Sequence, residues 1–367
     1  MDKIRVLIVD DSLIFRHAVS DALKNEPDIA VVGSVRNGVK ALEFIAENEV
    51  DVISLDLEMP DMDGRETLDR LQAINEERKD KRPIGVLMLS SKTVAGARAT
   101  IDALERGAFD FIAKPIDGNE ADNIALLTRE LVPRIRQYMK SGSTGAHRAT
   151  LARAGVASAK AVTVATSIEV KGIYAGKARA IVIGVSTGGP RALSDMLPLL
   201  CEKTSLPIFI VQHMPPTFTA SLAESLGRRC THRIKEGAAG DLVAPRTVYI
   251  APGGQHMLVT LNSLGEPILA INDQPPENGC RPSVDVLFRS ASAIYGSELV
   301  AVILTGMGND GTSSLRPLKR AGARIIVQDE ETSVVWGMPG SAVETGLVDE
   351  VRPLLEIPAA VATAAKH

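Results

Sequence analysis

Cysteines and aromatic residues are scarce in this 367-residue chain, and it contains no long apolar run. The three cysteines, Cys201, Cys230 and Cys280, form no CxxC pair and no zinc spacing, so neither a disulfide framework nor a structural zinc site is expected. Aromatics make up 3% of the residues, too few for a platform that stacks single-stranded nucleic acid. The formal net charge of -4 argues against a polyphosphate-binding surface, and no compact basic helix stands out as a DNA-binding output. No stretch approaches the ~18 apolar residues of a spanning helix. The opening MDKIRVLIVDDS is too acidic for a secretory signal. The expected setting is the cytoplasm, with no nucleic-acid partner and no membrane insertion.

What is present is ordinary globular composition, 45% hydrophobic and 23% charged, at a length suited to two or three domains. Strand-like runs at Ile4–Val9, Ile29–Val35, Val52–Leu55, Ile84–Leu89 and Phe109–Ala113 each precede a stretch with helical spacing. In the first such stretch Phe15, Ala18, Val19, Ala22 and Leu23 share one face. Five β-α units in series predict a flavodoxin-like (βα)5 fold, a parallel sheet covered on both sides, with its function at the carboxyl ends of the strands. From Leu131 to Ile168 no acidic residue occurs, and Ala, Ser, Thr and Gly dominate; this reads as a linker whose start continues the fifth helix. Strand signals resume at Ala180–Val185, Ile208–Gln212, Val248–Ala251, Ile268–Ile271, Leu299–Leu304 and Arg324–Val327, with helical patterns at Val284–Ile294 and Ser313–Arg320. They predict a second α/β domain, doubly wound and mostly parallel. The expected division is 1–128, a linker over 129–178, and 179–360.

Three carboxylates fall just past buried strands of the first unit, Asp10 and Asp11 after IRVLIV and Asp56 after VISL. Clustered carboxylates repel one another unless a cation joins them, and hard oxygen ligands suit Mg²⁺. Asp56 is the candidate nucleophile toward a phosphoryl group, forming an acyl phosphate. Ser90, after GVLML, supplies a hydroxyl, and Lys114, after FDFIA and pinned by Pro115, supplies a positive charge. Singly these are ordinary caps and surface residues. Together, in this order on one five-unit fold, they are specific. The stretch 1–125 resembles the receiver domain of bacterial two-component response regulators, through Asp10-Asp11, Asp56 in LDLEMPDMDG, Ser90, and Lys114-Pro115 with Phe111 upstream. The resemblance implies phosphorylation of Asp56 by a partner histidine kinase. It also implies that Ser90 and Phe111 move together as the switch.

In the second unit, Gly184-Val185-Ser186-Thr187-Gly188 fits G-x-S-x-G on a strand-to-helix turn, which would expose Ser186 Oγ at the helix start. A serine nucleophile needs a base and an orienting carboxylate. Of the six histidines, His213 ends the strand PIFIVQ at the same sheet edge. His17, His147 and His367 lie elsewhere in the chain, and His232 and His256 read as surface or structural. Asp310, in TGMGNDG after LVAVIL, is the candidate carboxylate, among glycines that let backbone N–H groups approach a ligand. The order Ser, His, Asp differs from that of α/β-hydrolases.

This half resembles the catalytic domain of the chemotaxis protein-glutamate methylesterases, through GVSTGGP, VQHMPPTFTASLAESL, VYIAPGGQHM, RPSVDVLF and LTGMGNDG. The resemblance implies Ser186, His213 and Asp310 as the triad, with Thr187 and Met307 in the oxyanion region or cleft. It implies chemoreceptor signalling helices as substrate, demethylated at glutamate and deamidated at particular glutamines, and no cofactor for the hydrolase. Two other readings exist. Gly306–Gly311 matches G-x-G-x-x-G after a strand, with Asp329 beyond it, as in a dinucleotide-binding oxidoreductase. Against this, few residues remain to complete such a fold, and Asp310 would repel a pyrophosphate. The other is a phosphorylation-gated binding module without catalysis, which the intact serine, histidine and aspartate oppose.

Overall fold

Branched apolar residues run unbroken from Val6 to Val9 and are buried, as expected of a parallel strand covered on both faces. The computed structural model describes residues 3–78, 81–91, 93–115, 119–141 and 177–366. Its first sheet holds β1 (Ile4–Val9), β2 (Ile29–Val35), β3 (Val52–Asp56), β4 (Gly85–Ser90) and β5 (Asp110–Ala113), all parallel in the order β2-β1-β3-β4-β5. Five helices follow the strands: α1 (Leu13–Leu23), α2 (Gly38–Glu47), α3 (Gly64–Glu77), α4 (Val94–Glu105) and α5 (Glu120–Lys140). Each begins where a short polar side chain, Ser12, Asn37, Asp63, Thr93 or Asn119, accepts a backbone N–H of the first turn. The architecture is flavodoxin-like.

Helix α5 runs well past residue 128, because Leu131, Val132, Ile135 and Tyr138 continue its buried face. Tyr138 stacks on Phe109, with ring centroids 4.5 Å apart, and donates to the Pro83 carbonyl. Residues 129–140, placed in the linker from sequence, therefore belong to the helix. Residues 142–176 of that linker lie outside the described residues.

The second sheet is built from β6 (Ala180–Val185), β7 (Ile208–Gln212), β8 (Arg233–Glu236), β9 (Thr247–Ile250), β12 (Leu299–Ile303), β13 (Arg324–Gln328) and β14 (Glu350–Arg352). Its order is β14-β13-β12-β6-β7-β9-β8, with every pair parallel. A separate antiparallel hairpin, β10 (His256–Leu261) with β11 (Pro267–Asn272), holds the predicted strand at 268–271. The helices are α6 (Gly189–Lys203), α7 (Phe218–Gly227), α8 (Val284–Tyr295), α9 (Leu315–Ala321), α10 (Met338–Glu344) and α11 (Ile357–Ala364). The chain winds outward from β6 in one direction and later returns through β12 on its other side. The switch point, where a crevice opens at the carboxyl ends, lies between β6 and β12. Among the described residues no helix is long and apolar enough to cross a membrane.

The two units touch. Phe111 of β5 packs on Phe218 of α7, and α4 lies against α6 and α7. Glu105 accepts from Ser225 Oγ at 2.7 Å and pairs with Arg229, while Arg98 pairs with Glu224.

Candidate active site

At the carboxyl edge of the first sheet, ligand oxygens of Asp10, Asp11 and Asp56 all lie within 4.8 Å of one another. Lys114 Nζ sits 2.7 Å from Asp10 Oδ2 and 2.9 Å from Asp56 Oδ1. Burial pushes the Asp56 carboxyl above its ordinary value and Asp10 adds to this, although Lys114 opposes both. Three hard oxygen donors, on buried Asp10 and Asp56 and exposed Asp11, fit a small divalent cation such as Mg²⁺. Ser90 is turned away from this pocket: its Oγ accepts from Thr100 Oγ1 at 2.5 Å and lies 3.4 Å from the Gly96 carbonyl. Phe111 is buried against Phe218 rather than near Asp56.

The second sheet builds its site at the switch point. β6 ends in Val185, and Ser186 opens a sharp turn into α6 that uses a left-handed Gly188, with φ +78°. The Ser186 N–H donates to the Thr305 carbonyl at 3.0 Å, and its own carbonyl accepts from Gln212 Nε2 at 2.9 Å. The His213 N–H donates to the Val185 carbonyl, so Ser186 and His213 start from adjacent positions on neighbouring strands. Gly306 leaves no room for a side chain, since a Cβ there would sit 2.7 Å from Ser186 Cβ. Among the described residues the Met307 N–H donates to nothing within the protein, as an oxyanion donor requires.

His213 Nε2 lies 2.9 Å from Asp310 Oδ2. The Asp310 carboxylate is buried at the head of α8, where it accepts from Val284 N–H at 2.7 Å, Ser283 Oγ at 2.8 Å and Asp285 N–H at 3.2 Å. Gly311 N–H and Asn278 Nδ2 complete its shell. Burial would raise this carboxyl, but His213 and the donors at α8 hold it down at about 2. Burial would likewise lower His213, yet Asp310 and then Cys280 raise its pKa to about 9. With Nε2 committed to Asp310, Nδ1 is the nitrogen left to exchange a proton, and Cys280 Sγ lies 3.8 Å from it. Among the described residues no hydrogen bond joins Ser186 Oγ to His213.

Several residues that shape the site were not singled out from sequence. Gln212 holds the Ser186 carbonyl, and Ser283, Asn278 and Asp285 build the cradle of Asp310. The motifs VQHM and RPSVDVLF contain most of them, but nothing in either spacing says which side chain points inward. His256 is not on the surface. It opens β10, is buried, and accepts the Ser283 N–H on Nδ1. His232 is also buried. The glycine pattern at 306–311 serves the approach to Ser186 and the turn that aims Asp310 inward, and the dinucleotide reading is not supported. Thr187 is likewise buried, with its hydroxyl directed at Asp110 of the first unit.

Comparison with known proteins places both halves. The CheB methylesterase family matches residues 181–361, and the response regulator receiver domain matches residues 6–125. A protein-glutamate methylesterase/protein-glutamine glutaminase of Desulfotalea psychrophila is 44% identical over 359 residues, covering 97% of each chain. One of Bacillus licheniformis is 41% identical over 361 residues, covering 98% of each. The crystallised CheB methylesterase catalytic domain of Thermotoga maritima is 41% identical, with a TM-score of 0.49, covering 51% of this chain and 99% of that one.

Proposed function

This chain belongs to the protein-glutamate methylesterase/protein-glutamine glutaminase family with a fused receiver domain, and from that premise we propose how its own residues perform the reaction. It hydrolyses γ-methyl esters of glutamyl residues on chemoreceptor helices and deamidates receptor glutamines, under control of phosphorylation at Asp56. The His213–Asp310 pair beside the Ser186 turn carries this reading.

Ser186 Oγ attacks the ester carbonyl carbon while His213 Nδ1 takes its proton. Asp310, anionic and held by α8, orients the ring and stabilises the imidazolium that forms. The Met307 N–H, with Thr187 nearby, faces the developing oxyanion. His213 returns the proton to the leaving oxygen, methanol departs, and a water activated by the same base releases the free glutamate and Ser186. With a glutamine amide, ammonia departs instead.

In the first unit Asp56 is the phosphoacceptor, with phosphoryl supplied by a histidine kinase. Asp10, Asp11 and Asp56 would hold Mg²⁺, which neutralises charge between the carboxylates and the incoming group. Lys114 then pairs with the phosphoryl oxygens, and Ser90 turns from Thr100 toward them, with Phe111 following. The division we propose is a regulatory unit over 1–128 continued by α5, a linker within 129–178 and a catalytic unit over 179–360, working in the cytoplasm. Methanol release from methylated receptor, with and without a small-molecule phosphodonor, tests the reading. Stimulated release supports it, and no release under either condition overturns it.

A further inference from the structure

Thr187 directly follows the candidate nucleophile, and its side chain is held by the other half of the molecule. Its Oγ1 donates to Asp110 Oδ2 at 2.6 Å, from the first residue of β5. The next residue is held as well, since the Gly188 N–H donates to the Phe109 carbonyl at 3.0 Å. Asp110 is itself fixed. Its Oδ2 pairs with Arg134 Nε of α5 at 3.2 Å, and its Oδ1 accepts the Phe111 N–H at 2.8 Å. Two hydrogen bonds from the regulatory unit thus reach the turn that carries Ser186, and among the described residues no hydrogen bond joins Ser186 to His213 in this arrangement.

We propose that Asp110 is a positioning residue that pins Thr187, and with it the Ser186 turn, in a resting geometry that phosphorylation releases. The proposal rests on the methylesterase reading above and specifies its regulation: the receiver acts on the nucleophile turn itself, besides covering the approach to the cleft. The route from Asp56 is short. Ser90 pairs in register with Ala113 of β5, the Lys114 N–H donates to the Ser90 carbonyl at 2.7 Å, and Lys114 Nζ lies on Asp56. Phe111, the expected switch aromatic, is the residue next to Asp110 and rests on Phe218. When Ser90 and Lys114 close on a phosphoryl group they pull on the last residue of β5, and this four-residue strand carries the shift back to Asp110 and Phe109 at its start. The Thr187 hydroxyl is then freed to face the cleft.

The test is the rate at which a small fluorophosphonate labels Ser186 in the full-length chain. In that reaction the serine oxygen bonds to phosphorus, fluoride leaves, and the hydroxyl proton leaves with it through His213. The probe is far smaller than a receptor helix, so its rate reports on the turn rather than on access. Losing one partly buried hydrogen bond to a charged group predicts labelling about tenfold faster in Asp110→Ala than in the unmodified unphosphorylated chain. A phosphodonor should accelerate labelling of the unmodified chain by a similar factor and add little to Asp110→Ala. Asp110→Asn keeps an acceptor oxygen for Thr187 and should label close to the original rate. Glu105→Ala loosens α4 from α7 without touching the turn, and should speed receptor demethylation while leaving labelling unchanged. Should Asp110→Ala fail to fold, the phosphodonor effect on the unmodified chain decides alone. Labelling rates unaffected by the phosphodonor, or raised as much by Glu105→Ala as by Asp110→Ala, would overturn the pin. Labelling that persists in Ser186→Ala would overturn the hydrolase reading itself, a separate and distinguishable failure.

Discussion

Phe111 of the regulatory sheet packs on Phe218 at the head of α7, with ring centroids 4.4 Å apart and the planes tilted by 35°. The side chain expected to report phosphorylation therefore rests directly on the domain that bears the catalytic turn. Both rings are buried in one apolar cluster that runs through the two units. Removing the receiver takes away that cover. A chain starting at Lys177 should demethylate receptors faster than the unphosphorylated full-length protein, and should unfold at a lower temperature because Phe218 becomes exposed. Initial rates and thermal melts of the two proteins check both. A slower truncated chain would mean that the receiver activates by positive contact.

Asp56→Asn should keep the basal rate and lose stimulation by a phosphodonor. The substitution preserves the side chain's shape beside Lys114 but removes the nucleophilic carboxylate. Methanol release before and after addition of acetyl phosphate measures both. Stimulation that survives in this variant would place the phosphoacceptor elsewhere.

Asp310→Asn should lower kcat by about a thousandfold or more with little change in KM, since the carboxylate orients His213 and stabilises its charged form only as the reaction proceeds. Steady-state kinetics on a methylated receptor separates the two parameters. A rise in KM with kcat preserved would make Asp310 a binding residue.

The rate should depend on pH through His213. Its folded pKa is raised from 6.5 to about 9, so the protonated ring stabilises the fold fully below about 6.5 and this contribution is lost as pH rises through about 9. Activity runs the opposite way, because only the neutral ring accepts the serine proton, and kcat/KM should climb across the same window. Cys280 contributes to the raised value, so Cys280→Ala should move the climb to lower pH. An unshifted pH–rate profile in that variant would remove Cys280 from the account.

Much of this was legible in the chain, for physical reasons. Strands buried on both faces, such as Leu299–Ile303 and residues 208–211, read as unbroken apolar runs. Ser186, His213 and Asp310 each follow such a run, so parallel topology alone brings them to one edge. The strands that escaped are of another kind. Arg233–Glu236 and Glu350–Arg352 are edge strands with little apolar pattern, and His256–Leu261 belongs to a hairpin outside the main sheet. The boundary at 128 falls short of the end of α5 because a composition change begins near Leu131, although Ile135 and Tyr138 keep the helical spacing that continues the fifth helix. The contact of Asp110 with Thr187 had no sequence signal. It joins residues 77 apart in different units, and each looks like an ordinary strand or turn residue.

The most direct measurement is methanol release from methylated receptor by the unmodified chain and by Ser186→Ala, each with a phosphodonor present. The first should show stimulated release and the second essentially none, with the circular-dichroism spectrum and phosphorylation of Asp56 unchanged. Turnover in Ser186→Ala close to that of the unmodified chain would contradict the hydrolase reading.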